Sequence, residues 1–200
     1  MSTHLVRMTL IVITALSVAA VRATAQDEAR KAFEAGKYPT VIEQTAADAS
    51  PGAQYLRGLT YLKLNQPDGA KGAFGRLQGA GDAWRSVGQS AIALTDRNLD
   101  AALAAARAAV SQNARLAEGQ YQLGLVLDAK GDNAAAAEAF AKAADANPQM
   151  AYAHYHAGMD FYKAQRVDRM AVYFENFLKL APNAPERPAV ESIVRTVRGK

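Results

Sequence analysis

Few residues in this chain have the types and spacing that catalysis or metal binding requires. The 200-residue sequence contains three His and no Cys, so disulfides, zinc–thiolate sites, thiol nucleophiles and a lipid-modified Cys are excluded. His154 and His156 are two residues apart, so on a helix their side chains point about 200° apart and cannot share one metal ion. His156 and Asp160 are four apart and could pair on one helix face. We expect His154 to pack between helices and His156 to face a neighbouring helix.

No catalytic motif accompanies these histidines. The sequence has no Gly-x-Ser-x-Gly elbow, no Gly-rich phosphate loop with a Lys and no His-Glu-x-x-His. Carboxylates such as Asp27 and Asp132 are single charges or lie near predicted helix starts, where they offset the helix dipole. The sequence therefore predicts no enzyme, no metal and no cofactor. An enzyme would need a deep pocket holding perturbed carboxylates or His156.

The first 25 residues are typical of an export signal. Arg7 precedes an uncharged apolar run over 9–21, and Ala23 and Ala25 give the small-x-small pattern that a signal peptidase accepts. As a helix this run would span roughly 20 Å, which is short of the ~30 Å bilayer core. We predict cleavage after Ala25, a periplasmic or secreted mature protein and no stable membrane insertion after cleavage. An uncleaved N-terminal anchor is the alternative.

The charge of the mature chain argues against nucleic acid as a partner. Loss of the leader removes Arg7 and Arg22, so the formal net charge falls from +4 to +2. Nucleic-acid binding needs a concentrated basic stripe. The remaining net charge is small and the basic residues are dispersed, so we predict no nucleic-acid binding.

Glycine and phenylalanine recur at fixed spacing. Three glycines are each followed 16 positions later by a phenylalanine: Gly58 and Phe74, Gly124 and Phe140, Gly158 and Phe174. Two further pairs repeat the 34-residue offset that separates the last two glycines: Tyr121 and Tyr155, Pro148 and Pro182. Because a Gly inside a helix costs roughly 1 kcal/mol relative to Ala, its recurrence indicates close helix packing. The pattern predicts helical hairpins that bury their apolar faces only by stacking on one another.

These residues resemble the tetratricopeptide repeat family, whose unit is a helix–turn–helix of about 34 residues. The resemblance implies an all-α, right-handed superhelical solenoid of stacked helix-turn-helix repeats. It is clearest over 117–150 and weakest over 83–116, where the first helix has no clear anchor. The units that we predict are 26–50, 51–82, 83–116, 117–150 and 151–184. Residues 185–200 are predicted to form a capping helix, with Val190, Ile193, Val194 and Val197 as one apolar stripe.

In this family the first helix of each unit lines a concave groove that holds a partner segment. Carried over to this sequence, the resemblance implies ten groove residues: Tyr55, Leu59, Leu62, Tyr121, Leu125, Asp128, Tyr152, Tyr155, Met159 and Tyr162. Trp84 and Val87 are further candidates from the weak unit. The Lys and Asn with which some members bind a terminal carboxylate are replaced here by Tyr and by Leu or Met. A tyrosine-lined groove favours an extended peptide or a helix of a partner, although each tyrosine could instead simply pack against the next repeat.

Two functions remain open. The first is a non-catalytic interaction module that binds a peptide or helix of an unidentified protein in its concave groove, outside the cytoplasm. The alternative is an oligomeric structural or assembly factor of the bacterial cell envelope, acting in outer-membrane or pilus biogenesis. It would show a fixed oligomer and an apolar patch on the convex side or the capping helix.

Overall fold

The structure, a computed structural model, describes residues 25–199 and contains helices and turns, with no strand in that range. In chain order its helices are α1 (described over 25–34), α2 (Tyr38–Gln44), α3 (Pro51–Lys63), α4 (Pro67–Gly75), a 3-10 turn (Arg76–Gly79), α5 (Asp82–Thr95), α6 (Leu99–Gln112), α7 (Ala117–Ala129), α8 (Asn133–Ala146), α9 (Ala151–Lys163), α10 (Val167–Leu180) and α11 (Arg187–Arg198). Residues 1–24 of the predicted leader lie outside the described part. None of the described helices is long and apolar enough to cross a bilayer.

The two helices of each hairpin are joined by a turn with one residue in the left-handed region. These residues are Gly36, Asn65, Arg97, Gly131 and Gln165, with φ between 56° and 80°. At the fourth turn the Asp132 amide donates to the Leu127 carbonyl at 3.0 Å, which satisfies an orphan carbonyl at the end of α7. The last three left-handed residues follow one another at the 34-residue offset.

Glycine brings the two helices of a hairpin together. A Cβ placed on Gly124 would lie 2.7 Å from the Phe140 ring, and one on Gly58 or Gly158 would overlap the paired phenylalanine of its own hairpin. The three phenylalanines are fully buried. A fourth glycine, Gly88 on α5, approaches the backbone carbonyl of Phe74 on α4, so it brings the weak unit against the preceding hairpin, a contact that was not predicted from sequence.

Each helix packs on the next along the chain from α2 to α11, and α5 also packs on α7. This stack confirms the predicted solenoid of helical hairpins. At its end α11 covers the last hairpin: Val190 is fully buried, and Ile193, Val194 and Val197 are half-buried against the core.

The two ends of the solenoid meet. Arg30 on α1 donates to the Gln149 carbonyl before α9 at 2.8 Å, across 119 residues of sequence. Lys63 at the end of α3 pairs with Glu186 before α11 at 3.3 Å. The curl of the stack therefore brings its first helices against its last hairpin and closes much of the concave face.

Candidate functional site

The predicted groove residues separate into three groups by exposure. Tyr55, Tyr121 and Tyr152 are buried, with 3%, 5% and 4% of their surface exposed. Leu62 and Tyr162 are exposed at 39% and 42%. The half-buried group consists of Leu59, Leu125, Asp128, Tyr155 and Met159. Of the two further candidates, Val87 is fully buried in the core and Trp84 is half-buried.

The buried tyrosines belong to an aromatic cluster on the concave face. The Tyr152 ring lies edge-on to Phe33 of α1, with centroids 5.3 Å apart. The Tyr121 ring lies edge-on to Phe140 at 5.3 Å, and Tyr155 lies 5.2 Å from Phe177. Such pairs add about 0.5–1.5 kcal/mol beyond area burial. These tyrosines therefore stabilise the fold, and most of their ring surface is unavailable to a partner in this conformation.

The Tyr55 hydroxyl is held by a chain of buried hydrogen bonds. It donates to Gln122 Oε1 at 2.9 Å, and Gln122 Nε2 donates to Ser90 Oγ at 3.3 Å. Ser90 Oγ donates to the Ala102 carbonyl at 2.9 Å. Burial raises the pKa of Tyr55 well above its usual value. Because Gln122 and Ser90 come from α7 and α5, this chain fixes three hairpins relative to one another.

Helix α1 occupies part of the concave face and is held by charged groups. Arg30 pairs with Asp27 at 3.2 Å and with Glu34 at 3.1 Å. The Glu34 carboxylate also accepts from the Ala151 amide in the first turn of α9, where a negative charge is favoured by the helix dipole. Burial raises the pKa of Glu34 and the Arg30 charge opposes this change. Arg30 and Glu34 were not predicted as site residues, because their contacts with Gln149 and Ala151 span more than a hundred residues of sequence.

Glu186 closes the other side of the concave face. Its carboxylate accepts from the Tyr152 hydroxyl at 2.8 Å and pairs with Lys63 at 3.3 Å. The Lys63 ammonium also lies 5.1 Å from the centre of the Tyr152 ring. Burial, with Glu186 as a second cause, raises the pKa of Tyr152. A predicted groove residue is thus tied to the segment that precedes α11.

A cavity of about 230 Å³ remains open between α1 and the first turns of α3, α7 and α9. Its wall contains four of the predicted groove residues: Tyr55, Leu59, Tyr121 and Tyr152. Phe33, Leu56 and Met150 add apolar surface, and Glu118 of α7 adds a carboxylate. Burial raises the pKa of Glu118. The other six predicted groove residues do not line the described part of this cavity, so the structure divides the predicted groove into a cavity and an outer strip.

The outer strip carries a charged triad. The Lys163 ammonium lies 2.6 Å from Asp128 and 2.7 Å from Asp160. Asp160 is 1% exposed, and its Oδ2 has no hydrogen-bond partner among the described residues. Burial raises the pKa of Asp160 to about 6, Lys163 opposes this change, and the nearby Asp128 adds to it.

The two histidines pack among aromatic rings. The His156 ring stacks on Phe140 at 4.9 Å and meets Tyr155 and Tyr121 at 5.1 and 5.7 Å. Burial lowers the pKa of His156 to about 4. His154 Nε2 lies 3.2 Å from the Pro148 carbonyl, and burial lowers its pKa as well. Within residues 25–199 no three His, Asp or Glu side chains are grouped as metal ligands.

Comparison with known proteins supports the fold. A family profile described as tetratricopeptide repeat matches residues 53–79. The match covers one repeat of this family within the chain. Proteins that contain this repeat are generally non-catalytic modules that bind other proteins. No curated protein sequence matches the chain significantly.

Several solved structures share the fold at low sequence identity. TTC0263, a tetratricopeptide repeat protein of Thermus thermophilus, is 16% identical with a TM-score of 0.60, and the match covers 89% of this chain and 99% of that one. YrrB, described as having an unusual peptide-binding site, is 19% identical with a TM-score of 0.52, over 86% of this chain and 88% of its own. MamA is 23% identical with a TM-score of 0.49, over 72% and 84%. At these identities the likeness to TTC0263 and YrrB shows the fold alone.

Proposed function

We propose that this protein is a non-catalytic interaction module, acting in the periplasm or outside the cell, that binds an extended segment of a partner protein on its concave face. The observation that carries this proposal is the cavity between α1, α3, α7 and α9. It lies where the resemblance places ligand-binding residues, and four of those residues form its wall.

The size of the cavity favours an extended segment over a helix. A helix with its side chains is about 10–12 Å across, and a cavity of about 230 Å³ does not accommodate one. Helix α1 already occupies the adjoining part of the concave face through Phe33 and Arg30. An extended segment needs to insert only one or two side chains, while its backbone follows the outer strip past Leu62 and Tyr162, which are exposed.

Site-specific photo-crosslinking in cells tests this proposal. A photo-reactive phenylalanine analogue is placed at Leu59, which lines the cavity, and at Val172, an apolar residue of α10 that is 57% exposed. We expect one partner to be captured from Leu59 and absent from Val172, identified by mass spectrometry. Equal capture from both positions, or none from Leu59, would overturn a concave binding site.

The location outside the cytoplasm is proposed from the leader sequence. Its apolar run over 9–21 and the Ala23-x-Ala25 pattern support cleavage after Ala25. The intact mass of the protein recovered from the cell envelope is expected to correspond to a chain that begins at Gln26. Recovery of the full-length chain in the membrane fraction would instead support an anchor.

The second candidate function is an oligomeric assembly factor of the cell envelope. Val167 and Val172 of α10 are exposed at 41% and 57%, and they lie on the second helix of the last hairpin. Multi-angle light scattering separates the two functions. A fixed oligomer that Val172→Ser dissociates would favour the assembly factor, and a monomer at all concentrations would favour the interaction module.

A further inference from the structure

The cavity on the concave face contains far more negative than positive charge. Among the side chains of the described residues in its wall, Arg30 is the one cation, and the carboxylates are Asp27, Glu34, Asp48 and Glu118. Arg30 is already engaged by Asp27 at 3.2 Å, by Glu34 at 3.1 Å and by the Gln149 carbonyl at 2.8 Å. The Arg30 guanidinium is therefore already bound by groups of α1 and of the loop before α9.

Glu118 is a carboxylate of this wall that forms no ion pair with a described residue. It lies in the first turn of α7 and is half-buried. Burial raises the pKa of Glu118, its own backbone amide opposes this change, and no cation of the described residues contributes. An apolar ligand would bury this carboxylate further without a partner, which is costly. A cationic ligand would instead be stabilised by it.

The remaining wall suits a cation that is carried on an apolar stem. Phe33, Tyr55, Tyr121 and Tyr152 line the cavity, together with Leu56 and Leu59. Aromatic faces attract ammonium and guanidinium groups, and apolar surface covers the methylene stems of Lys and Arg. The volume of about 230 Å³ is below the ~300–1,000 Å³ of cofactor and drug sites. It matches the insertion of one long side chain.

From this combination we propose that the cavity receives the side chain of a Lys or Arg presented by an extended segment of the partner protein, with Glu118 as its counter-ion and the tyrosine rings as its walls. This inference rests on the proposed function and specifies the partner's chemistry. The segment carries a basic residue flanked by residues small enough to pass between α1 and the start of α7.

Short peptides test this specificity directly. The probes are acetyl-Ala-Ala-X-Ala-Ala-amide with Lys, Arg, Gln or Glu at X, titrated into the full chain and followed by amide NMR shifts. We expect the Lys and Arg peptides to bind at least tenfold more tightly than the Gln peptide, with the Glu peptide weakest. Added salt should reduce the preference, because the Lys–Glu118 attraction is screened.

The matched variants are Glu118→Gln and Glu43→Gln. Glu43 is an exposed residue of α2 outside the described cavity wall. Glu118→Gln should lower the affinity for the Lys peptide to that for the Gln peptide without lowering the melting temperature by circular dichroism. Glu43→Gln should leave the affinity unchanged and should not lower the melting temperature. Equal binding of the Lys and Gln peptides, no binding of the Lys peptide at millimolar concentration, or a preference that survives in Glu118→Gln would overturn the inference. Butylammonium that binds as tightly as the Lys peptide would also overturn it, because the site would then select small amines.

The proposed function and the inference about a basic side chain can fail independently of each other. If the partner captured at Leu59 binds Glu118→Gln and the parent chain equally well, the inference that a basic side chain enters the cavity is wrong. The proposed function as an interaction module is then unaffected. If no partner is captured at Leu59, the interaction site itself is wrong, whatever the peptides do.

Discussion

At the residue scale, the contacts between glycine and phenylalanine set the distance between paired helices. Gly124 lies against the Phe140 ring, so an added methyl group would meet it at 2.7 Å. Overpacking of this kind costs about 1–3 kcal/mol. A methyl group added to Gly72 on α4 would meet no neighbouring side chain within 4 Å, so this glycine provides a matched control.

We therefore expect Gly124→Ala and Gly72→Ala to change stability in opposite directions. Gly124→Ala should lower the free energy of unfolding by about 1–3 kcal/mol, and Gly72→Ala should raise it by about 0.5–1 kcal/mol because Ala favours the helix. Urea unfolding followed by circular dichroism measures both. Two variants of equal stability would show that the ring has room to move away from α7.

His156 and Asp160 give opposing pH dependences at this same scale. The folded-state pKa of His156 is about 4, below the ~6.5 of an unfolded His, so its contribution is complete above pH ~6.5 and is lost as pH falls towards 4. The folded-state pKa of Asp160 is about 6, above the ~3.9 of an unfolded Asp, so its contribution is complete below pH ~4 and is lost as pH rises towards 6. Each is worth up to about 3 kcal/mol.

Single variants separate the two effects. Relative to the parent chain, His156→Phe should become more stable as pH falls from about 6.5 to 4, and Asp160→Asn should become more stable as pH rises from about 4 to 6. Thermal unfolding over this pH range provides the two difference curves. Parallel curves for both variants and the parent chain would show that neither group is perturbed by burial.

At the element scale, α1 behaves as the internal occupant of the concave face. Its Phe33 ring packs on Tyr152, and Arg30 and Glu34 bind the start of α9. Phe33→Ala removes the apolar part of this contact and should cost about 3–5 kcal/mol of local stability. Lys31→Ala, on the exposed side of the same helix, serves as the control because its side chain is 62% exposed.

Hydrogen exchange measures this effect element by element. In Phe33→Ala the amides of α1 should exchange much faster, while those of α7 and α8 keep their protection because they are held by Phe140. Lys31→Ala should leave both regions unchanged. Faster exchange throughout the chain in Phe33→Ala would contradict a separable α1 and would make it part of one cooperative unit.

The helical elements were largely predictable from sequence, and the exceptions have physical reasons. Gly124 and Phe140 recur 34 residues later as Gly158 and Phe174, and this repeat predicted helices α7–α10. Gly88 was not predicted as a packing glycine, because it contacts the preceding hairpin and lies 30 residues after Gly58 and 36 before Gly124, which does not match the 34-residue spacing. The predicted unit boundaries remain a prediction, since a helix end does not define where a repeat begins.

At the scale of the whole molecule, the closure of the solenoid could not be predicted. The local pattern placed Tyr55, Tyr121 and Tyr152 on first helices, and this predicted accessible groove positions. Tyr152 is covered by Phe33 of α1 and by Glu186, whose contact with Lys63 spans 123 residues of sequence. No periodicity encodes such a contact, because it follows from the accumulated curvature of all the hairpins.

This closure is the central claim, because it leaves the cavity as the part of the concave face that is open to a partner. Carbodiimide crosslinking of the monomer tests it most directly, since the reagent joins an amine and a carboxylate only when they touch. Lys130 and Asp100, 2.7 Å apart on neighbouring hairpins, provide the positive control. We predict an intramolecular Lys63–Glu186 crosslink in the peptide map alongside the Lys130–Asp100 crosslink. The control crosslink without the Lys63–Glu186 crosslink would contradict closure and would indicate an open solenoid.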